Sequence, residues 1–137
     1  MIRSYTDLDY IKLKELYLHS EWFGGQFDEA RDGREKLGKK IADDPESILV
    51  FEQNGELLGT ISLVEDGRVA WLFRFAVKDN DPKITKELYE KAVETLKNRD
   101  HTQVLVYTPV GNKGLDARYE SLGMTNGADY TCFWSEI

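Results

Sequence analysis

Residues 71–96, WLFRFAVKDNDPKITKELYEKAVETL, decide the fold of this chain. The apolar first part, residues 71–77, has the length and the aromatic content of a buried strand. A polar turn follows, and Pro82 then opens a helix whose apolar residues recur every three or four positions. The sequence therefore predicts a strand that leads into a helix through a tight turn. Such a turn presents free backbone N–H groups and the positive end of the helix dipole, which attract anions such as phosphate.

The residues before this stretch predict an antiparallel meander. Residues 47–53 and 56–65 read as two strands joined by Asn54-Gly55, and Asp66-Gly67 leads into a third strand over residues 68–77. Both dipeptides favour the left-handed conformations of a type I′ hairpin turn. The third strand is the one that precedes the Pro82 helix, so the meander carries the turn described above.

The N-terminal part predicts a short strand and two helices. Residues 2–5 can form the strand, and Thr6 or Asp7 can cap the Leu-rich helix that follows. The strongly charged residues 28–42 predict a second helix, which the glycines at positions 33 and 38 weaken.

The C-terminal part predicts two more strands around a short helix. Residues 102–108 read as a buried strand, and a helix between two strands usually makes them parallel neighbours. Residues 113–122 predict the short helix, with Gly123 as its C-terminal cap, and residues 128–134 predict the last strand. The expected fold is one α+β domain over residues 1–137, with a mixed sheet, a βαβ unit and helices on both faces.

Charge and cysteine content limit the classes of partner. The net charge of −7 argues against nucleic acid as the main partner and against an anionic membrane surface. Cys132 is the single cysteine, so the chain can form no internal disulfide and no Cys-based zinc cluster. No apolar run reaches the roughly 20 residues of a membrane span, and the N-terminus lacks the apolar core of a signal peptide. We expect a cytoplasmic protein without a metal site.

Three stretches of the sequence share a pattern with one protein family. The first is residues 45–59, PESILVFEQNGELLG, and the second is residues 112–124, NKGLDARYESLGM, in which Asn112 and Tyr119 are seven positions apart. The third is the N-terminal Ile2-Arg3 ahead of a Leu-rich helix. These motifs resemble the GNAT superfamily of acyl-CoA-dependent N-acyltransferases, and the first is similar to the family's second and third strands. The resemblance covers nearly the whole chain and implies a GNAT-like α+β fold.

The resemblance implies a site for acetyl-CoA as co-substrate. The family holds the pyrophosphate on a glycine-rich turn, but here the turn and helix start, residues 78–85, read KDNDPKIT and contain no glycine. We expect the backbone of the preceding strand to pair with the pantetheine amides. Either bare N–H groups at Ile84 and Thr85 receive the phosphates with help from lysines, or the turn has lost the cofactor. The implied cofactor-binding residues are Phe75, Ala76, Val77, Lys83, Ile84, Thr85 and Asn112.

The resemblance also implies the reacting and acceptor-binding residues. Tyr119 is the candidate acid that protonates the leaving thiolate, although it can equally be a packing residue, and Asn112 can equally be a helix cap. No general base stands out in the sequence. The implied acceptor-binding residues are Trp22, Phe23, Phe27 and Arg74. The three aromatic residues can instead pack as a lid over the core, and Arg74 can lie on a solvated face or pair with a buried acid.

The predicted function is transfer of an acetyl group to an amine of a small molecule or a protein. The alternative is a catalytically inactive GNAT-fold module that binds a ligand or a partner protein, which the glycine-free turn favours. The fold permits a homodimer, but no residue identified in the sequence supports one.

Overall fold

The computed structural model describes residues 1–21 and 27–137, which form two compact units, residues 1–107 and 108–137. The first unit holds four strands and four helices in the described residues. They are β1 (Ile2–Ser4), α1 (Tyr10–His19), α2 (Glu29–Asp32), α3 (Arg34–Asp43), β2 (Ile48–Gln53), β3 (Glu56–Glu65), β4 (Ala70–Val77) and α4 (Pro82–Lys97). The second unit holds α5 (Lys113–Ser121). The α+β class is therefore confirmed.

The four strands form one antiparallel sheet in the order β1-β2-β3-β4. The β2–β3 hairpin turns through Asn54 and Gly55, whose φ angles are 52° and 78°, so the predicted left-handed turn is confirmed. The β3–β4 connection differs from its prediction. It spans residues 66–69, and only Gly67 has a positive φ there, because the Asp66 side chain accepts hydrogen bonds from the backbone N–H groups of Arg68 and Val69.

Helices cover both faces of this sheet. On one face, apolar residues of β2 such as Ile48 and Val50 join a buried cluster with Leu13 and Tyr17 of α1. On the other face Gly59 of β3 lies against α4, since a Cβ atom added at Gly59 would meet Leu88 and Ile84 of that helix. The first turn of α4 is thereby held close to the ends of β3 and β4, because Gly59 pairs with Val77.

The single helix predicted over residues 28–42 is wrong. Two helices, α2 and α3, are separated at Gly33, whose extended backbone (φ −66°, ψ 156°) ends the first and caps the second. An added Cβ at Gly33 would lie 2.5 Å from the carbonyl oxygen of Glu29, so a side chain does not fit at this break. The break makes Asp32 the last residue of α2, where it is buried.

The predicted strand over residues 102–108 is reduced to one residue pair. Leu105 forms a parallel bridge with Trp71, and its backbone N–H donates to the carbonyl of Ala70 at 2.9 Å. The pairing is parallel, as predicted, but it does not extend into a ladder. The last strand predicted over residues 128–134 is wrong, since residues 124–137 form no strand.

The second unit is organised by α5. Asn112 caps the start of this helix, where its Oδ1 accepts a hydrogen bond from the N–H of Leu115 at 3.0 Å. Gly123 follows the helix with a φ of 87°, as the sequence predicted for its C-terminal cap.

Candidate active site

The C-terminal half of β4 contains a bulge. Thr60 of β3 pairs with Ala76 and Ser62 pairs with Phe73, so two residues of β4, Arg74 and Phe75, occupy an interval where β3 has one. Arg74 has a φ of 49°, which is uncommon for a residue with a side chain. Bulges of this kind bend a strand and redirect its side chains, and they are frequent next to active sites.

The outer side of β4 is the edge of the sheet. Among the described residues, its parallel pairing on that side is confined to the bridge between Trp71 and Leu105, at the start of the strand. At the C-terminal end of β4, Phe75, Ala76 and Val77 are buried. An edge strand can accept an extended ligand through its backbone groups.

The turn after β4 achieves its shape without glycine. Residues Lys78–Asn80 form a 3₁₀ turn in which Asp79 and Asn80 have φ angles of 54° and 50°. Asp and Asn tolerate this left-handed conformation better than most residues with a side chain. The turn then ends at Asp81, directly before Pro82 at the first position of α4.

The start of α4 is capped by the chain itself. Oδ1 of Asp81 accepts hydrogen bonds from the backbone N–H groups of Lys83 at 2.9 Å and Ile84 at 3.1 Å. The N–H of Thr85 donates to the carbonyl oxygen of Asp81 at 3.0 Å. The expectation of bare N–H groups at Ile84 and Thr85 is therefore wrong, because the carboxylate of Asp81 stands where an external anion would bind.

Two lysines and two aspartates lie within residues 78–83. Lys78 lies with its Nζ 3.7 Å from a carboxylate oxygen of Glu56, and Lys83 is exposed. Asp79 and Asp81 contribute two negative charges within the turn. In this conformation the N–H groups of Lys83 and Ile84 are already engaged by Asp81.

Arg74 is paired with a buried acid. Its Nε donates to Oδ1 of Asp32 at 2.8 Å, and its Nη2 donates to Oδ2 of Asp32 at 2.8 Å. Each side chain is only 1% exposed. The alternative of a solvated face for Arg74 is therefore wrong, and its alternative of a pair with a buried acid is confirmed. No local sequence pattern indicates Asp32 as the partner, because it lies 42 positions from Arg74.

The aromatic residues predicted to line the acceptor site are only partly described. Trp22 and Phe23 lie outside the described residues. Phe27 is half-buried, packs against the apolar cluster beneath α1, and has Nζ of Lys14 at 5.2 Å from the centre of its ring. This position agrees with packing on the core and also places a cation on the aromatic ring.

Asn112 and Tyr119 belong to the second unit. The cap that Asn112 forms on α5 accounts structurally for this residue. Burial raises the pKa of the Tyr119 hydroxyl above its ordinary value, although the nearby charge of Arg118 lowers it in part. Like any tyrosine it holds its proton at neutral pH, and the raised pKa makes its hydroxyl a weaker proton donor.

Two further features bear on the class of site. The described residues hold no group of three or more His, Cys, Asp or Glu side chains placed to share a metal ion. Each described helix is too short or too polar to cross a lipid bilayer.

Comparison with known proteins identifies the family. A model of the Acetyltransferase (GNAT) family matches residues 11–124. The chain belongs to this family. GNAT enzymes transfer an acetyl group from acetyl-CoA to an amine. No curated protein sequence matches this GNAT chain.

Solved structures of GNAT proteins share the fold. The chain is similar to the aminoglycoside antibiotic 6′-N-acetyltransferase from Acinetobacter haemolyticus, with a TM-score of 0.79 and 16% identity over 100% of this chain and 99% of that one. The PaiA N-acetyltransferase from Thermoplasma acidophilum, solved with coenzyme A, is similar with a TM-score of 0.71 and 22% identity, over 88% of this chain and 86% of that one. The ribosomal-protein-alanine N-acetyltransferase from Brucella melitensis is similar with a TM-score of 0.69 and 21% identity, over 90% of this chain and 83% of that one.

Proposed function

We propose that this chain transfers the acetyl group of acetyl-CoA to an amine at the C-terminal end of β4. The observation that carries the proposal is the shape of β4 in a chain that matches the acetyltransferase family over residues 11–124. This strand has a bulge at Arg74, and its parallel bridge to Leu105 lies at Trp71, near the start of the strand. We assign pairing with the pantetheine amides to the backbone of Phe75, Ala76 and Val77.

The remaining roles are assigned as follows. Acetyl-CoA supplies the acyl group as a thioester. Tyr119 holds the proton that the leaving sulfur takes, and Asn112 contacts the cofactor in addition to capping α5. Lys83, Ile84 and Thr85 form the diphosphate site, which requires the carboxylate of Asp81 to leave the N–H groups that it now caps.

We also propose that residues 1–137 act as one cytoplasmic domain. The family match crosses from the first compact unit into the second, which supports a single functional domain. Within the first unit, β4, α4 and the residues around Leu105 are proposed as the βαβ unit of a mixed sheet, and the parallel bridge to Trp71 supports this assignment.

The acceptor is proposed to be a cationic amine of a small molecule or a protein. Named relatives of similar fold act on an aminoglycoside antibiotic and on a ribosomal protein's alanine. The net charge of −7 favours acceptors that carry positive charge. Trp22, Phe23 and Phe27 are proposed to line the acceptor site, and the cation that already lies over the Phe27 ring supports this role.

A second candidate function is a GNAT-fold module without catalysis. The observation that favours it is the cap at Asp81, which gives the start of α4 an internal anion in place of an external one. An enzyme is expected to bind acetyl-CoA and a module that has lost the cofactor is not, so one measurement of acetyl-CoA binding distinguishes the two candidate functions.

The test is thermal unfolding of the protein with and without acetyl-CoA. A ligand at 100 times its Kd adds about 2.7 kcal/mol of stability. We expect a clear rise in Tm at millimolar acetyl-CoA, and no rise would overturn the enzymatic proposal. Tyr119→Phe should then lower turnover with spermine, kanamycin or an alanine-initiated peptide and leave acetyl-CoA binding unchanged; undiminished turnover would remove Tyr119 from the acid role.

The role of Asp81 is tested by removing its charge and keeping its cap. Asp81→Asn preserves a good N-cap, and we expect it to tighten acetyl-CoA binding by about three- to tenfold because one like charge leaves the diphosphate site. Acetyl-pantetheine, which lacks the diphosphate, should bind both proteins equally. Asp79→Asn removes the same charge from a residue that caps nothing and is the matched control. Equal effects of the two variants would show that the net charge of the turn, and not the place of Asp81 at the helix start, governs binding of the cofactor.

A further inference from the structure

Arg74 and Asp32 form an ion pair that is closed to solvent. Two hydrogen bonds of 2.8 Å join the guanidinium to the carboxylate in the parallel arrangement that suits these two groups. Arg74 is the residue of β4 with a positive φ, so the pair holds the bulge at the residue where the strand departs from regular geometry.

Asp32 extends the same contact to the segment that precedes α2. Its Oδ2 also accepts a hydrogen bond from the backbone N–H of Asp28 at 2.9 Å. One carboxylate thus ties residues 28–32 to the bulge of β4. Gly33 makes this possible, since the break after Asp32 turns the chain at a position where a side chain would strike the carbonyl of Glu29.

We propose that Asp32 and Arg74 are positioning residues for acetyl transfer, which hold the bulge of β4 and the segment after residue 27 in one fixed arrangement. Neither residue touches the substrate. This inference rests on the proposed function, because β4 is there assigned to the cofactor and Phe27 to the acceptor. The pair determines the relative placement of these two binding elements.

A role in geometry explains why this pair is ionic. Taking two charges out of water is costly, and apolar residues of similar volume often replace a buried ion pair without loss of stability. Apolar residues, however, lack the directional hydrogen bonds that fix the bulge residue and the Asp28 backbone. A misplacement of about 1 Å between reacting groups can lower a rate by about a hundredfold.

The experiment compares two double variants that receive the same substitutions. Asp32→Leu with Arg74→Met replaces the buried pair without leaving one charge unpaired, which the single variants would do. Asp7→Leu with Arg34→Met replaces an exposed pair, in which Nη2 of Arg34 lies 2.7 Å from Asp7, and serves as the control. For each protein we measure Tm, hydrogen exchange of residues 70–77 and 28–32, and steady-state kinetics with acetyl-CoA. Spermine, kanamycin and an alanine-initiated peptide are first tried as acceptors with the wild type, and the one that is acetylated fastest is used for all proteins.

We expect the buried double variant to keep a cooperative thermal transition, to exchange faster in both segments, and to lose about 10- to 100-fold in kcat with a smaller change in KM. The exposed double variant should match the wild type in all three measurements. Unchanged exchange in both segments, or an unchanged kcat, would overturn the inference. An inactive wild type would overturn the proposed function instead, and the exchange measurement would still decide whether the pair fixes the two segments.

If the buried double variant fails to fold, Arg74→Lys is measured in its place, and an unchanged kcat with faster exchange would likewise overturn the inference.

Discussion

Replacement of Gly59 by alanine should destabilise the protein, although most Gly→Ala changes in unstrained positions do the opposite. An added Cβ would lie 2.7 Å from Cδ1 of Leu88 and 3.0 Å from Cγ2 of Ile84. Both side chains are buried, at 0% and 8% exposure, so neither can move outward without disturbing the contact between α4 and the sheet. Overpacking of this kind costs about 1–3 kcal/mol. Alanine also lowers the conformational entropy of the unfolded chain, which by itself raises the free energy of unfolding by about 0.4–1 kcal/mol.

The net expectation is a loss of about 1–2 kcal/mol in the free energy of unfolding, which corresponds to a fall of about 3–8 °C in Tm for a chain of this length. Urea and thermal unfolding followed by circular dichroism measure both quantities. Gly38→Ala is the matched control, because Gly38 lies inside α3 and an added Cβ would meet nothing within 4 Å. That variant should gain about 0.5–1 kcal/mol.

A double-mutant cycle sharpens the test. Leu88→Ala alone should cost about 2–5 kcal/mol, because it opens a cavity at a fully buried position. The double variant with Gly59→Ala should lose less free energy of unfolding than the two single variants lose together, since the new methyl group occupies part of the space that Leu88 leaves. A stabilised Gly59→Ala protein, or strictly additive costs, would refute the close approach of α4 to β3.

Three further outcomes are expected. Hydrogen bonds from Arg3 hold the pKa of Asp9 below its ordinary value, so this carboxylate contributes stability above about pH 4 that is lost as the pH falls further. Urea unfolding at several pH values should show this loss, and Asp9→Asn should make the free energy of unfolding depend less on pH. Cys132 is exposed, and Ellman's reagent should therefore titrate one thiol per chain in the native protein as in urea. Gly33→Ala should lower the free energy of unfolding by about 1–3 kcal/mol, because its Cβ would overlap the Glu29 carbonyl; an unaffected midpoint in urea would contradict this.

The sequence predicted the elements that local chemistry determines. Asn54-Gly55 specified a hairpin because both residues adopt positive φ, and Pro82 marked the first position of α4. The cap at Asp81 was predictable in principle, since an Asp directly before a proline at a helix start is a standard N-cap arrangement. Its consequence for the cofactor site follows only from the hydrogen bonds, which show the N–H groups already engaged.

The remaining features depend on contacts that no local pattern contains. The break at Gly33 reflects a close approach to Glu29, and the pairing of Arg74 with Asp32 joins residues 42 positions apart. The apolar pattern of residues 102–108 indicated a strand, but pattern alone does not determine how far a ladder extends, and here one residue pair forms. Candidate site residues carried by the family resemblance, Tyr119 among them, stay predictions.

The place of β1 in the sheet sets an order for assembly of the chain. The hairpins of β2, β3 and β4 close loops of two to four residues, whereas β1 pairs with β2 across a long separation, for example between Ile2 and Phe51. Short loops close with little entropy cost, so the meander can form before β1 joins it. Of these four strands, β1 is therefore synthesised first and is among the last to find its neighbour. We expect nascent chains that stop before residue 53 to expose this strand, and to depend on chaperones until β2 has been made.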